Sequence, residues 1–446
     1  MHFFQILQDF AQQDMSKFLA IAIFAVCYVI LFSEKINRAV IALLGAEIMI
    51  FTGVLSTTTA LEGIDFNTLS LLIGMMIIIG ISEHSGMFEY AAVGGAKLVR
   101  ANPRGLLVVL AVATAVFSAF LDNVTTILLI APVTIQITRK LKLDPYPYLI
   151  LEIFASNIGG TATLIGDPPN ILIGSAIDLS FMDFAKELTP IVIVALTLII
   201  FLFELMWRKE LKTKNEFKAA VMQMNEKDAI KNKTLLHKSL FVLSIVILGF
   251  VTAEETGFSN GSIALLGAAV MLLLYTYKGK KSSRDQKVTQ ILAGVDWTTI
   301  FFFTGLFVIV HGLEETGVLE IMGQKFLEFT NAEISKITFL TLWSSAILSS
   351  IVDNIPFVAT MIPMLKSMEE TIGGREAMMP AWWALSLGAC FGGNGTLIGA
   401  SANVIMAGIA ARDGHPISFL SFMKWSVPVM LLTVTLAMVW LKIQYF

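Results

Sequence analysis

Apolar runs long enough to cross a bilayer recur along the whole chain, and they fall into two matched sets. Runs at 17–33, 38–58, 67–82 and 188–207 are answered by runs at 239–253, 261–277, 297–312 and 426–444. Each reads as a transmembrane helix, because about 20 predominantly apolar residues span the hydrocarbon core. Each half also holds one apolar run interrupted by Gly, Pro and polar residues, at 145–177 and 381–411. These read as broken helices, since Gly and Pro sit poorly in an uninterrupted helix. The pattern predicts an all-α polytopic membrane protein of about ten spans.

The two sets are copies of one unit. GGTATLIGDPPN (159–170) recurs as GGNGTLIGASAN (392–403), and FLDNVTTILLIAPV (120–133) answers to IVDNIPFVATMIPM (351–364). GIDFNTLSLLIG (63–74) pairs with GVDWTTIFFFTG (294–305), and IALLGAEIMI (41–50) with IALLGAAVML (263–272). Paired, Gly/Pro-interrupted segments at corresponding positions of two halves point to a transport site at the repeat interface. The expected domains are a first repeat (1–207) holding a re-entrant hairpin at 105–138, a linker (208–238), and a second repeat (239–446) holding a hairpin at 337–365.

Composition agrees with the bilayer as solvent: 56% hydrophobic, 15% charged, mean hydropathy +0.77. A net charge of −3 gives no basic surface for nucleic acid. Cys27 and Cys390 are the two cysteines, too far apart in sequence to read as a disulfide or thiolate metal pattern. His84, His237 and His311 are scattered and suggest no structural metal site. The run near Lys17 lacks a small-residue cleavage site, so no signal peptide is expected.

Charge placement sets the expected topology. Lys and Arg concentrate in 208–238 and in 278–287 (Lys278, Lys280, Lys281, Arg284, Lys287), which the positive-inside rule places in the cytoplasm. Lys35/Arg38, Lys97/Arg100/Arg104 and Arg139/Lys140/Lys142 belong to the same side. Acidic groups around Glu62/Asp65, Asp178/Asp183 and Glu254/Glu255 fall on the other. Five spans per copy is an odd number, so the second copy is expected upside down, with both termini outside.

Two stretches do not fit simple crossings. Between Arg104 and Arg139 the only charge is Asp122, and between Lys336 and Lys366 it is Asp353. Limbs of roughly 12–17 residues would reach about 18–25 Å, short of the ~30 Å core. They read as re-entrant hairpins entering from opposite faces, with Asp122-Asn123 and Asp353-Asn354 at the tips; two full-length helical hairpins with turns in water are the alternative. The segments 83–100 and 313–332 have mixed polarity and read as interfacial helices.

A carboxylate at membrane depth costs about 2.5–3.5 kcal/mol on insertion scales and is normally kept for a pathway or relay. The rival reading is that Asp122 and Asp353 only cap the helices that follow. Asn123, Thr125, Thr126 and Asn354 add oxygen ligands. The interrupted segments offer freed backbone groups around Gly159, Gly160, Gly392 and Gly393. Their side chains add Ser156, Asn157, Thr161, Thr163, Asp167 and Asn170, then Cys390, Asn394, Thr396, Ser401 and Asn403; Ala400 replaces Asp167 in the second copy. A plain kinked helix with Gly for close packing is the bland alternative.

These strings resemble the ion transporter superfamily, within it the arsenite permease and NhaD-type antiporter branch, and most nearly the P protein (pink-eyed dilution) group. The resemblance covers roughly 20–440. It implies ten spans plus two opposed hairpins, an elevator-type transport domain, a homodimer, and an ion and substrate site at the hairpin tips and broken-helix loops. The expected location is a bacterial plasma membrane, with the linker cytoplasmic.

A dianion beside Asp122, Asp167 and Asp353 would be repelled unless cations or protons bound too, and the motifs carry no Arg or Lys to offset that charge. A cation, a proton or a small neutral solute suits such a site better. The expected function is an antiporter coupling H+ or Na+ to movement of a small inorganic ion or solute, without an organic cofactor. An arsenite or antimonite permease and a passive channel of the same fold remain open. An enzyme is not expected, because no nucleophile–base pair or HExxH string is present.

Overall fold

The computed structural model describes residues 2–33, 35–277 and 281–446, with side chains for 14–33, 35–277 and 282–446. Lys278 and Lys280, part of the second basic cluster, lie outside the described residues. The first half runs through α1 (His2–Ser33), α2 (Arg38–Phe51), α3 (Thr57–Glu62), α4 (Phe66–Glu83), α5 (Met87–Leu98), α6 (Pro103–Phe120), α7 (Asn123–Lys140), α8 (Tyr146–Gly160), α9 (Pro168–Ala176) and α10 (Phe181–Met206). A connector holding α11 (Asn215–Met222) leads to α12 (Lys233–Val251), α13 (Ala253–Thr256), α14 (Asn260–Thr276) and α15 (Lys281–Ala293). The second half continues with α16 (Trp297–Glu315), α17 (Val318–Thr330), α18 (Ile334–Ile351), α19 (Asn354–Ile372), α20 (Arg375–Gly392), α21 (Ser401–Arg412) and α22 (Phe419–Tyr445). The fold is all-α, as the sequence pattern predicts.

Local chemistry sets the boundaries. Asp65 and Asp296, at matching positions of the two copies, cap α4 and α16 through their side chains. Asn102 caps α6, with Pro103 in the first turn where a missing N–H costs nothing. The hairpin turns are tight: only Leu121 and Asp122 separate α6 from α7, and only Val352 and Asp353 separate α18 from α19.

Packing follows the repeat. α6 lies along α8 and α18 along α20, while α2 of the first copy packs on α16 of the second and α14 on α4. Small residues make these approaches possible. A Cβ on Gly74 would strike the backbone of Ala264, and one on Gly305 that of Ala42. Likewise Gly159 rests on the backbone of Ala115 and Gly392 on that of Ala346. Four contacts thus form two matched pairs, so the packing is duplicated along with the sequence.

Eight helices among the described residues are long and apolar enough to cross a membrane. Six match expected spans, and the other two are α6 and α18, the first limbs of the hairpins. Those limbs are 18 residues each, with 18 and 19 in the returning helices. At 1.5 Å per residue they reach about 27–29 Å, longer than the sequence reading expects. Its estimate fails because the capped turn adds no loop and both limbs run to the basic residues. The second span is shorter than expected: α2 stops at Phe51 and a separate α3 follows.

The connector is more than a solvated link. Val221 and Leu211 are buried, Lys231 N donates to Ser85 O at 3.0 Å, and Thr213 Oγ1 donates to Leu141 O at 2.5 Å. Lys97 Nζ donates to Glu226 Oε2 at 2.5 Å, which holds the Glu226 carboxyl below its usual range. The expected interfacial segments form α5 and α17, each begun by a left-handed glycine (Gly86, φ 82°; Gly317, φ 71°). Both pack against their own hairpin.

Candidate functional site

Both hairpin turns end in one cavity of about 530 Å³. Of the residues singled out in the sequence, Asp122, Asn123, Thr125, Asp167, Asp353, Asn354 and Ser401 line it. Glu83, Asp296, Thr299 and Arg38 line it as well. The acidic tips therefore face each other's halves across a common space.

Each tip aspartate caps its helix and still presents charge to the cavity. Asp122 Oδ1 accepts from Thr125 N at 2.8 Å, and Oδ2 from Thr125 Oγ1 at 2.6 Å. Asp353 Oδ1 accepts from Ile355 N at 3.3 Å. Its Oδ2 takes Arg38 Nη1 at 2.8 Å and Ser401 Oγ at 3.5 Å. Arg38 Nη1 also donates to Ser401 Oγ at 3.2 Å, and Nη2 to Thr299 Oγ1 at 2.8 Å. Thr299 in turn donates to Asp296 Oδ2 at 2.5 Å. The guanidinium lies 5.1 Å from the Phe302 ring centre.

The Arg38 contact corrects the sequence reading, which groups Arg38 with Lys35 as a cytoplasmic loop charge and finds no cation near the acidic motifs. The offsetting charge arrives from α2, outside the motifs, and Asn37 capping α2 fixes its first turn beside the second hairpin tip.

The broken helices supply the wall behind the tips. Residues 161–167 and 393–400 are not helical, and the two segments are sewn by matching asparagines. Asn170 Nδ2 donates to Thr161 O (3.1 Å) and Thr163 O (2.9 Å); Asn403 Nδ2 donates to Gly393 O (2.8 Å) and Thr396 O (2.9 Å). Thr163 Oγ1 donates to Ala119 O, and Thr396 Oγ1 to Ser350 O, tying each loop to the end of its own hairpin's first limb. Gly159 and Gly392 give the close approach described above, and Gly160 faces the backbone of Gly166 as Gly393 faces that of Gly399.

Deeper still, the two copies meet through amides. Asn157 Nδ2 donates to Asn394 Oδ1 and Asn403 Oδ1, both at 3.0 Å, and Asn157 Oδ1 accepts from Asn123 at 3.4 Å. Ser156 Oγ donates to Asn123 O at 3.3 Å. Asn170 Oδ1 accepts from Ser386 Oγ at 2.6 Å and lies 3.6 Å from Cys390 Sγ. Asn157, Asn170, Asn394, Asn403, Thr161 and Cys390 are buried and do not line the cavity. The polar atoms Asp167 Oδ2, Asn394 Nδ2 and Thr126 Oγ1 are buried without a protein partner. Unmet polar atoms at this depth cost free energy, and Asp167 Oδ2 belongs to a residue on the cavity wall.

Sequence reasoning missed Arg38, Glu83 and Asp296 as cavity residues. Asp296 lies in a repeated string and Glu83 pairs with Glu314, so repetition carried a signal for both. Arg38 carried none, because its counterpart is Asn260. A second, smaller cavity of about 240 Å³ mirrors the first. There Gly63, Asp65, His311 and Glu314 stand where Gly294, Asp296, Gly80 and Glu83 stand in the larger one, but neither tip aspartate lines it. Among the described residues, no three His, Cys, Asp or Glu side chains are gathered closely enough to hold a metal ion.

A family model described as "Citrate transporter" (CitMHS) matches residues 28–388. The chain belongs to that family. It is 39% identical over 432 residues to an uncharacterized transporter of Mycobacterium bovis, covering 96% of this chain and 98% of the relative. It is 34% identical to the P protein of Mus musculus, covering 96% of this chain but 60% of that protein. The superfamily resemblance and its P protein affinity are thereby borne out. Among solved structures, the YdaH transporter of Alcanivorax borkumensis superposes with a TM-score of 0.57 at 14% identity, over 86% of this chain and 87% of that one. That likeness is one of fold. The protein is an integral membrane transporter.

Proposed function

We propose that the chain is a secondary active transporter that couples H+ or Na+ to movement of a cation or small inorganic solute. The observation that carries this reading is the cavity's charge: Glu83, Asp122, Asp167, Asp296 and Asp353 line it against the single cation Arg38. In a low-dielectric site so many carboxylates are tolerated together only if cations bind beside them or some of them take up protons. A proton and a metal cation would then compete for the same charge, and that exchange is the simplest basis for antiport. The duplicated packing supports two repeats; on this reading they are inverted and move the tips and broken helices as an elevator, and the superfamily resemblance implies a homodimer in the plasma membrane. On this reading the larger cavity, rimmed by Arg38 and the helix after the basic 278–287 segment, faces the cytoplasm.

A second reading follows from the family's description. Citrate would suit this cavity only as a cation complex, with Arg38 meeting a carboxylate. Arsenite gains little support: Cys390 is buried against Asn170 and Cys27 lies elsewhere, on α1. Counter-transport in proteoliposomes separates the readings, using Na+, Li+, arsenite and citrate with and without a divalent cation, each with and without a pH gradient. Uphill movement of Na+ or Li+ driven by the pH gradient is the expected result. Movement only down a gradient would mean a channel, and citrate-dependent uptake alone would favour the second reading.

A further inference from the structure

The repeat is symmetric in packing but not in charge, and the asymmetry falls on the tips. Asp353 is held by a cation, whereas among the described residues the Asp122 carboxylate takes its hydrogen bonds from Thr125 of its own helix. Arg38 begins α2 as Asn260 begins α14, each three residues before the matched strings at 41–50 and 263–272. The surroundings are matched in part: Thr299, which takes Arg38 Nη2, corresponds to Thr68, and Asp353 corresponds to Asp122, whereas Pro168 stands where Ser401 stands and Leu71 where Phe302 stands. The second arrangement thus lacks the cation and two of its partners, and the Asn260 Oδ1 there is buried without a protein partner.

Arg38 also ties the tip to α2. α2 lies on α16, whereas Asp353 and Ser401 begin α19 and α21, which pack mostly with the hairpins and broken helices, α19 touching α16 as well. A displacement of the tips relative to α2 and α16 must therefore break this bridge. The pair is half-buried, so its partner groups are only partly rehydrated while it stays in the cavity.

We propose that Arg38 is an internal counter-cation that competes with the transported cation for Asp353, and that its exchange for Asn260 in the other copy biases the empty carrier toward the face seen here. The inference rests on the reading that the tips move relative to α2 and α16. An arriving cation or proton neutralises Asp353, frees the guanidinium to fall back on Thr299 and Asp296, and releases the tip to move. In the opposite-facing state the matching contact, Asn260 toward Asp122, holds no ion pair, so that state is not locked when empty. The device acts as a coupling residue: it discourages return of an empty, charged carrier from one face only.

The test reads conformation and not transport. Single-cysteine reporters at Met76 in the larger cavity and Ala176 in the smaller are introduced on a Cys27→Ser, Cys390→Ser background, and their modification rates by a membrane-impermeant thiol reagent are compared in purified protein. Arg38→Gln is expected to raise the Ala176-to-Met76 rate ratio by about fivefold or more. Asp353→Asn removes the same bridge from its other end and is expected to shift the ratio in the same direction, with little further change in the double variant. Exchanging the two positions (Arg38→Asn with Asn260→Arg) is expected to favour the opposite-facing state most. An unchanged ratio in Arg38→Gln and Asp353→Asn, in protein that elutes as folded wild type, overturns the proposal while leaving transport itself untouched. A shifted ratio in a protein that moves no ion would keep the latch and discard the antiport reading.

Discussion

The side-chain amide of Asn354, at the tip of the second hairpin, donates to the carboxylate of Asp167 at the end of the first copy's broken loop, at 3.4 Å. The bond crosses between repeats, and its counterpart cannot form because Ala400 stands where a second aspartate would be. Asp167 keeps its other oxygen without a protein partner. Asp167→Asn preserves shape and removes charge, so it is expected to leave a folded protein that has lost coupled transport. Near-native coupled flux in that variant would remove Asp167 from the ion site.

Asp122→Ala and Asp353→Ala separate a binding role from a capping one. Loss of a cap alone costs about 0.5–2 kcal/mol of stability and would spare flux. The expected result is loss of transport with wild-type elution and helix content. Retention of flux in both variants would leave only the cap that the Thr125 and Ile355 amides receive.

The inverted arrangement predicts a definite sidedness. Cysteines placed at Met222 in the connector and Ser283 in α15 are expected to react only from the cytoplasmic side in a cysteine-free background. Reaction of the Met222 position from outside would contradict the inverted repeats.

Glycine contacts make a stability prediction. A methyl on Gly159 meets the Cα and carbonyl of Ala115 with no flexible side chain to yield. Gly159→Ala is expected to lower stability by about 1–3 kcal/mol, the range for overpacking a tight interior, seen as a lower melting temperature in detergent. Gly408→Ala, whose added methyl would meet open space, is expected to be near neutral.

Much of this was legible because the chain says it twice. Asp122 with Asp353, Gly159 with Gly392 and Asn170 with Asn403 stand out as pairs; the structure sets the glycine and asparagine pairs in matching surroundings and both aspartates on one cavity, where Asp353 alone meets Arg38. The broken segments were legible because Gly166, Pro168 and Pro169 defeat a helix locally. What stayed hidden was whatever lacks a mate or depends on a third dimension. Arg38 looked like a loop charge until α2 crossed to the other copy. Apolarity alone does not separate hairpin limbs from spans; the charges at Arg104, Arg139, Lys336 and Lys366 set these stretches apart, but not the full 18-residue length of α6 and α18. The split between Asp167, which lines the cavity, and Asn394, which does not, depends on which side of each loop faces the opening, and no periodicity marks that in an unwound segment.

Proton competition at the cavity is the claim on which the functional account stands. Asp122, Asp167 and Asp353 share the cavity with Glu83, Asp296 and the guanidinium of Arg38. Protons and a transported cation draw on the same carboxylates, so protonation as pH falls must weaken cation binding. The decisive measurement is cation affinity across roughly pH 5.5–9 together with proton flux during turnover in proteoliposomes. The account predicts that apparent affinity for the cation rises with pH and that each turnover moves protons opposite to it. An affinity independent of pH, with no proton movement accompanying turnover, would contradict it.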